Sequence, residues 1–226
     1  MRPVLLDLFC GAGGAGMGYS YAGFDVIGVD IKPQPKYPFP FIQADAMDIL
    51  DDVLRDSYRQ VAAIHASPPC QHYSGLSNCV PGTKAKYPDL VGPVRALLKA
   101  SGLPWVIENV PFSPLIDPVI LCGTSFGMKI RRHRLFESPV PIEPLACAHN
   151  GYVMNPYAAS GRQRMRDWGI PQGQLNATWR REMGVGWMSG HEGSEAIPPA
   201  YTEYVGKHLM RYADHRQGKC IVYSAS

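Results

Sequence analysis

The chain lacks an apolar run long enough to span a bilayer, and no signal-peptide cleavage pattern follows its opening MRPVLLDLF. Regular cysteine spacing is also missing. Six cysteines are scattered over 226 residues, which excludes a disulfide framework and predicts reduced thiols in the cytoplasm. No internal repeat or low-complexity tract is present, which excludes a solenoid. Net charge is small, +3, so bulk charge identifies no partner. With 46% hydrophobic and 18% charged residues, the composition is that of a soluble domain. The length suits one well-packed domain with a small appendage, expected to be a monomer.

What is present is an alternation of strands and helices. Val4 to Phe9 predicts a strand, followed by a glycine-rich turn and a helix to about Ala22. Phe24 to Asp30 predicts a second strand. A proline-rich link, Pro33 to Pro40, leads to a third near Phe41 to Ala44. Met47 to Tyr58 predicts a helix, Val61 to Ala66 a fourth strand, Tyr73 to Tyr87 a loop, Asp89 to Ala100 a helix and Trp105 to Glu108 a fifth strand. This order predicts the α/β class, with a doubly wound and mostly parallel sheet.

Proline is dense from Pro111 to Pro144, where VILCG and RLFE predict strands that end the sheet antiparallel. From about Leu145 to Ser194 no periodicity is legible, which predicts a small irregular subdomain. Pro198 and Pro199 then open a helix through AYTEYVGKHLMRYA, with Val205, Leu209 and Tyr212 on one face. The expected division is a main domain of 1–138 with 195–214, a small region of 139–194, and a tail of 215–226.

Chemistry concentrates at the carboxyl ends of the predicted strands, where open α/β sheets bind ligands. Gly11-Ala12-Gly13-Gly14-Ala15-Gly16 fits G-x-G-x-x-G between strand and helix, a loop shared by NAD, FAD and S-adenosylmethionine sites. Asp30 ends the second strand, where an acid accepts hydrogen bonds from ribose hydroxyls. Asp45 either binds an adenine amine or caps the following helix. After the fourth strand, Ser67-Pro68-Pro69-Cys70-Gln71 is stiffened by two prolines and holds one thiol in place, either as a nucleophile or as an inert turn cysteine. Glu108 ends the fifth strand. In Arg131-Arg132-His133-Arg134, alternation predicts that Arg132 and Arg134 point together, opposite Arg131 and His133. Five arginines, Arg162, Arg164, Arg166, Arg180 and Arg181, form either a solvated face or a set of phosphate contacts. Cys122, Cys147 and His149 are too loosely spaced for a good zinc site, so no metal is expected.

Several of these segments, in order, resemble the DNA cytosine carbon-5 methyltransferases. DLFCGAGG (Asp7 to Gly14) is similar to the family's first cofactor motif and SPPCQ (Ser67 to Gln71) to its nucleophile motif. ENV (Glu108 to Val110) resembles the glutamate motif, RRHR (Arg131 to Arg134) the arginine motif, and AIPPAYTEYVG (Ala196 to Gly206) the C-terminal motif that completes the cofactor site. Between the last two, only about Glu137 to Ser194 is left for target recognition, shorter than in a typical member.

The resemblance implies a Rossmann-like methyltransferase fold using S-adenosylmethionine. It places Phe9, Gly11, Ala12, Gly13, Gly14, Asp30, Ile31, Asp45, Ala46, Pro69 and Tyr201 at the cofactor. Cys70, Glu108, Arg132 and Arg134 become catalytic, with Cys70 attacking carbon 6 and Glu108, its pKa raised, donating at ring nitrogen 3. Gln71, Ser74 and Asn109 face the base or backbone of a cytosine flipped out of DNA, and the five arginines face phosphates. An RNA substrate, tRNA above all, or a catalytically silent nucleic-acid-binding role are the alternatives.

Overall fold

The computed structural model describes residues 2–73, 88–149, 154 and 159–213, without the side chains of 159, 160 and 164. Seven strands form one sheet in the order β3-β2-β1-β4-β5-β7-β6. They are β1 (Val4–Leu8), β2 (Asp25–Asp30), β3 (Phe41–Gln43), β4 (Val61–Ala66), β5 (Trp105–Asn109), β6 (Val119–Leu121) and β7 (Arg134–Glu137). The first five pair in parallel, and β7 runs antiparallel between β5 and β6. The inner strands β1, β4 and β5 are almost wholly buried, as both faces of a parallel sheet must be when helices cover them.

Two helical layers provide that cover. On one face, α1 (Gly14–Ala22) packs with the long α7 (Pro199–Ala213); Tyr19, Phe24, Tyr201, Val205 and Leu209 fill the space beneath. On the other, α2 (Ala46–Leu54) and α3 (Val91–Ser101) bury Ile49, Leu50, Val94 and Leu98. α2 ends earlier than periodicity predicts, because Asp56 just beyond its cap takes a positive φ of 64°. α3 ends on Gly102 in the left-handed region.

α1 and α7 approach so closely that side chains are excluded between them. A Cβ at Gly18 would lie 2.1 Å from the Pro199 carbonyl, and one at Gly206 2.7 Å from the Ala22 methyl. Thr202 Oγ1 donates to the Ala15 carbonyl across this seam at 2.9 Å.

The stretch read as irregular is helical: α4 (Ala159–Asp167), a 3-10 turn (Gln172–Gln174), α5 (Leu175–Glu182) and α6 (Gly190–Glu195). These short helices build a third core from Met165, Leu175, Trp179, Met183, Val185 and Met188, closed against Ala12 and Ile130 of the main body. Breaks at Gly169 and Gly184, both at positive φ, interrupt the helical runs before a 3.6-residue repeat becomes legible. Val140 and Ile142 pack in the first sheet core, with Leu145 against it. Ser74, the rest of the predicted loop to Tyr87, and the tail beyond 213 lie outside the described residues.

Candidate active site

The loop after β4 is built to hold Cys70. Ser67 N–H continues the sheet by donating to the Leu8 carbonyl at 3.2 Å, and the Cys70 carbonyl accepts from Tyr73 N–H at 3.0 Å. Asn109, at the end of β5, donates from Nδ2 to the Pro68 carbonyl at 2.9 Å, while its Oδ1 accepts from Val110 N–H. Asn109 is 1% exposed. In this structure it clamps the nucleophile loop. Cys70 itself is half-buried, as are Pro69 and Gln71 beside it. Burial raises the Cys70 thiol above its ordinary pKa; the Arg134 guanidinium opposes that rise and Glu108 adds to it.

Glu108 sits one residue before the clamp and is buried. Arg134 Nε lies 3.0 Å from Glu108 Oε1 but is not aligned to donate to it, so this oxygen has a cation beside it and no donor pointed at it. Burial raises the Glu108 pKa; Arg134, a hydrogen bond from Ser67 and, more weakly, Arg132 pull it back down.

Ser67 ends a buried relay that the sequence reading missed. Tyr19 Oη is 2.9 Å from His65 Nδ1, and His65 Nε2 is 2.7 Å from Ser67 Oγ. Burial pushes the His65 pKa down to about 3, so the ring is neutral. The tautomer of that neutral ring decides which of the two hydroxyls donates to it. The only signal in the sequence was His65 standing two residues before Ser67 in an otherwise apolar strand.

The two arginines part company. The chain from 131 to 133 is not regular strand, so the alternation that would align Arg132 with Arg134 does not hold. Arg132 donates to the carbonyls of Ser194 and Ala196, at 2.7 and 3.0 Å, and lies over the Trp179 ring. In this structure it anchors the chain entering α7. Tyr201 is the residue expected at the cofactor. It is fully buried, stacks on Phe126, and donates to the Arg132 carbonyl at 2.6 Å.

The glycine loop bends over the end of β2. Phe9, Gly11 and Gly13 all take positive φ, and Phe9 does so without being glycine, a strained arrangement of the kind found at ligand sites. Gly11 N–H and Lys32 N–H both donate to the Asp30 carboxylate, at 3.0 and 2.9 Å, and fix its direction. A Cβ at Gly11 would meet nothing within 4 Å, whereas one at Gly14 would strike the Ile197 carbonyl at 2.4 Å. Gly11 thus borders open space, and the missing side chain of Gly14 serves the packing of the α7 lead-in instead. Asp45 caps α2 through Met47 N–H at 2.8 Å. Ile31 is exposed and Ala46 is buried at the start of α2. The Ala12 carbonyl accepts from Trp187 Nε1 at 3.0 Å, which joins the helical region to this loop.

Among the arginines, Arg166 is exposed and braced by Gln163 and Gln172, with Arg162 one turn earlier on α4. Arg181 is exposed at the end of α5. Arg180 differs: its stem fills the space over Gly193, joining α5 to α6. The Arg164 side chain lies outside the described residues.

A second constellation, discounted from its spacing, is drawn together by the fold. Cys122, Cys147 and His149 come together with a fourth residue, His133.

No family model matches the chain. It is 29% identical over 222 residues to the type II methyltransferase M.XorII of Xanthomonas oryzae pv. oryzae, a match covering 91% of this chain and 44% of that protein. The chain thus spans less than half the length of that curated relative. In structure it is similar to an E. coli prophage-encoded protein described as a DNA modification methyltransferase, with a TM-score of 0.58 and 15% identity, covering 93% of this chain and 99% of that one. It is also similar to the S. pombe Dnmt2 methyltransferase, with a TM-score of 0.54, 14% identity and the same coverage. At these identities the structural likeness is one of fold, and the chain has the α/β fold of the S-adenosylmethionine-dependent methyltransferases.

Proposed function

We propose that the protein methylates carbon 5 of cytosine in DNA. One observation carries the reading: Cys70, Glu108 and Arg134, from the ends of β4 and β5 and the start of β7, form one electrostatic unit beside an open glycine loop. An acid, a cation and a thiol in one place suit addition to an electron-poor ring. DNA is favoured because two of the similar proteins are described as DNA-modifying or type II methyltransferases.

The residues present fit S-adenosylmethionine, which would supply an electrophilic methyl group. Asp30 is oriented to accept from ribose hydroxyls, the Gly11 face is open to close approach, and Phe9 and Asp45 border the same edge. Cys70 loses its proton and its sulfur bonds to carbon 6 of a cytosine taken out of the stack, and the ring's electron pair moves to carbon 5. Glu108 donates a hydrogen bond at ring nitrogen 3 as that charge develops. Arg134 favours the thiolate and the carboxylate in turn. After methylation, a base removes the carbon-5 proton and the carbon–sulfur bond breaks, restoring the aromatic ring and Cys70.

The test is bisulfite sequencing of DNA from cells expressing the protein, with labelled methyl transfer to duplex DNA, single-stranded DNA and tRNA in vitro. Conversion-resistant cytosines that vanish with Cys70→Ala, while cofactor binding persists, are the expected outcome. Full transfer by Cys70→Ala would sink the covalent route, and transfer to tRNA alone would move the substrate to RNA.

A further inference from the structure

We propose that Cys122, His133, Cys147 and His149 form a structural zinc site. Cys122 is buried just after β6, and His133 immediately precedes β7. Cys147 and His149 lie on the segment that returns past both strands. One ligand atom from each falls within 4.8 Å of all the others. Cys122 Sγ is 3.6 Å from His149 Nε2, and Cys147 Sγ is 3.5 Å from His133 Nε2. The two imidazoles meet edge to face with centroids 5.1 Å apart.

The two sulfur–nitrogen distances match a coordination shell, and the other pairs lie within 4.8 Å, close enough to draw in around an ion. With zinc bonds of about 2.3 Å to sulfur and about 2.05 Å to nitrogen, a tetrahedron has sulfur-to-nitrogen edges of about 3.6 Å. Both sulfur–nitrogen contacts have that length, and they pair the four residues without sharing one. Two unrelated thiol–imidazole hydrogen bonds would account for each length separately, but not for their convergence on one small volume. Thr124 Oγ1 donates to Cys122 Sγ at 3.3 Å, the outer hydrogen bond that orients a ligating thiolate.

The donor set selects the metal class. Two thiolates and two imidazoles in four-fold array favour zinc over magnesium or calcium, which take oxygen. Two thiolates also neutralise the divalent charge. All four positions come from protein, so no place is left for a reacting water, and the role is structural. The ion would tie three segments together at the entrance to β7. The His133 carbonyl accepts from Arg134 Nη1 at 3.0 Å, so the metal would fix the backbone that carries the guanidinium beside Glu108. The proposal stands apart from the methyltransferase reading, because its readout is metal content.

The experiment uses tag-free full-length protein purified without chelator. Mass-spectrometric metal analysis is expected to find about one zinc per chain. Cobalt replacement is expected to give the ligand-field bands of a tetrahedral site and a sulfur-to-cobalt charge-transfer band. Cys147→Ser and His149→Ala, both at exposed positions, should each lower zinc affinity by about tenfold or more. Chelation should lower the melting temperature of the parent protein but not of Cys147→Ser. Protein that holds no metal after incubation with zinc and gives no tetrahedral cobalt spectrum would overturn the site, and so would a Cys122–Cys147 disulfide in freshly isolated protein. If the variants misfold, the cobalt spectrum of the parent decides alone.

Discussion

On the proposed route Glu108 must hold a proton to donate at a ring nitrogen, and its burial acts in that direction. Its folded pKa is raised, so the form that route needs is present at low pH and is lost as pH rises through that pKa. On the same route Cys70 works the other way, since only a thiolate would attack. Glu108→Gln is therefore expected to slow transfer by about 10²–10⁴-fold. Its rate should also climb with pH until Cys70 is ionised, without the parent's alkaline decline. A pH–rate profile of the two proteins checks this, and parallel profiles would remove Glu108 from proton donation. At this scale the sequence was legible in part. Cys70, Glu108 and Arg134 were singled out by their positions at strand ends. Arg132 was not separable from Arg134, because only the fold reveals that the 131–133 backbone is irregular and that Trp179 lies beneath Arg132.

Among the elements, two contacts fix what moves and what does not. Asn109 joins the end of β5 to the loop after β4 through a buried carbonyl. Asn109→Ala leaves the Pro68 oxygen without its donor, at a cost of about 1–3 kcal/mol. A clamp predicts a lower kcat with KM little changed, whereas a substrate contact would raise KM; steady-state kinetics separates them. The α1–α7 seam is the second contact. Gly18→Ala would force a methyl to within 2.1 Å of the Pro199 carbonyl and Thr202 Oγ1. The expected loss is about 1–3 kcal/mol or more in urea unfolding. Gly92→Ala, on α3 with nothing within 4 Å of the new methyl, should be neutral or stabilising by up to about 1 kcal/mol. Equal losses would argue against the seam. Element types up to β5 and for α7 were legible because their apolar periods are clean. The helices between 159 and 195 were not, because each is short, glycine-broken and rich in polar residues.

Across the whole molecule, buried titratable groups set opposing pH trends. Asp7, fully buried beneath Tyr37, has its pKa pushed up to about 8 chiefly by burial. The native state therefore holds a proton that the unfolded chain releases near 3.8, and stability falls as pH rises from about 4 to about 8. His65 acts oppositely: its contribution is complete above its unfolded value of 6.5 and is lost as pH falls toward 3. Between pH 6.5 and 8 the His65 contribution is constant and that of Asp7 still falls, so the urea midpoint of the parent should decline there. Asp7→Asn should flatten that decline, and an undiminished slope would show that Asp7 is not its source. No described helix is long and apolar enough to cross a membrane.

The hydroxyl of Thr202 reaches a carbonyl 187 residues earlier in the chain. At a synthesis rate of roughly 5–20 residues per second, roughly 10–40 s separate the emergence of those two partners. Throughout that interval α1 and the strand it covers wait with an apolar face open to water and to other chains. The nascent protein thus stays exposed to aggregation over this surface until α7 closes on α1.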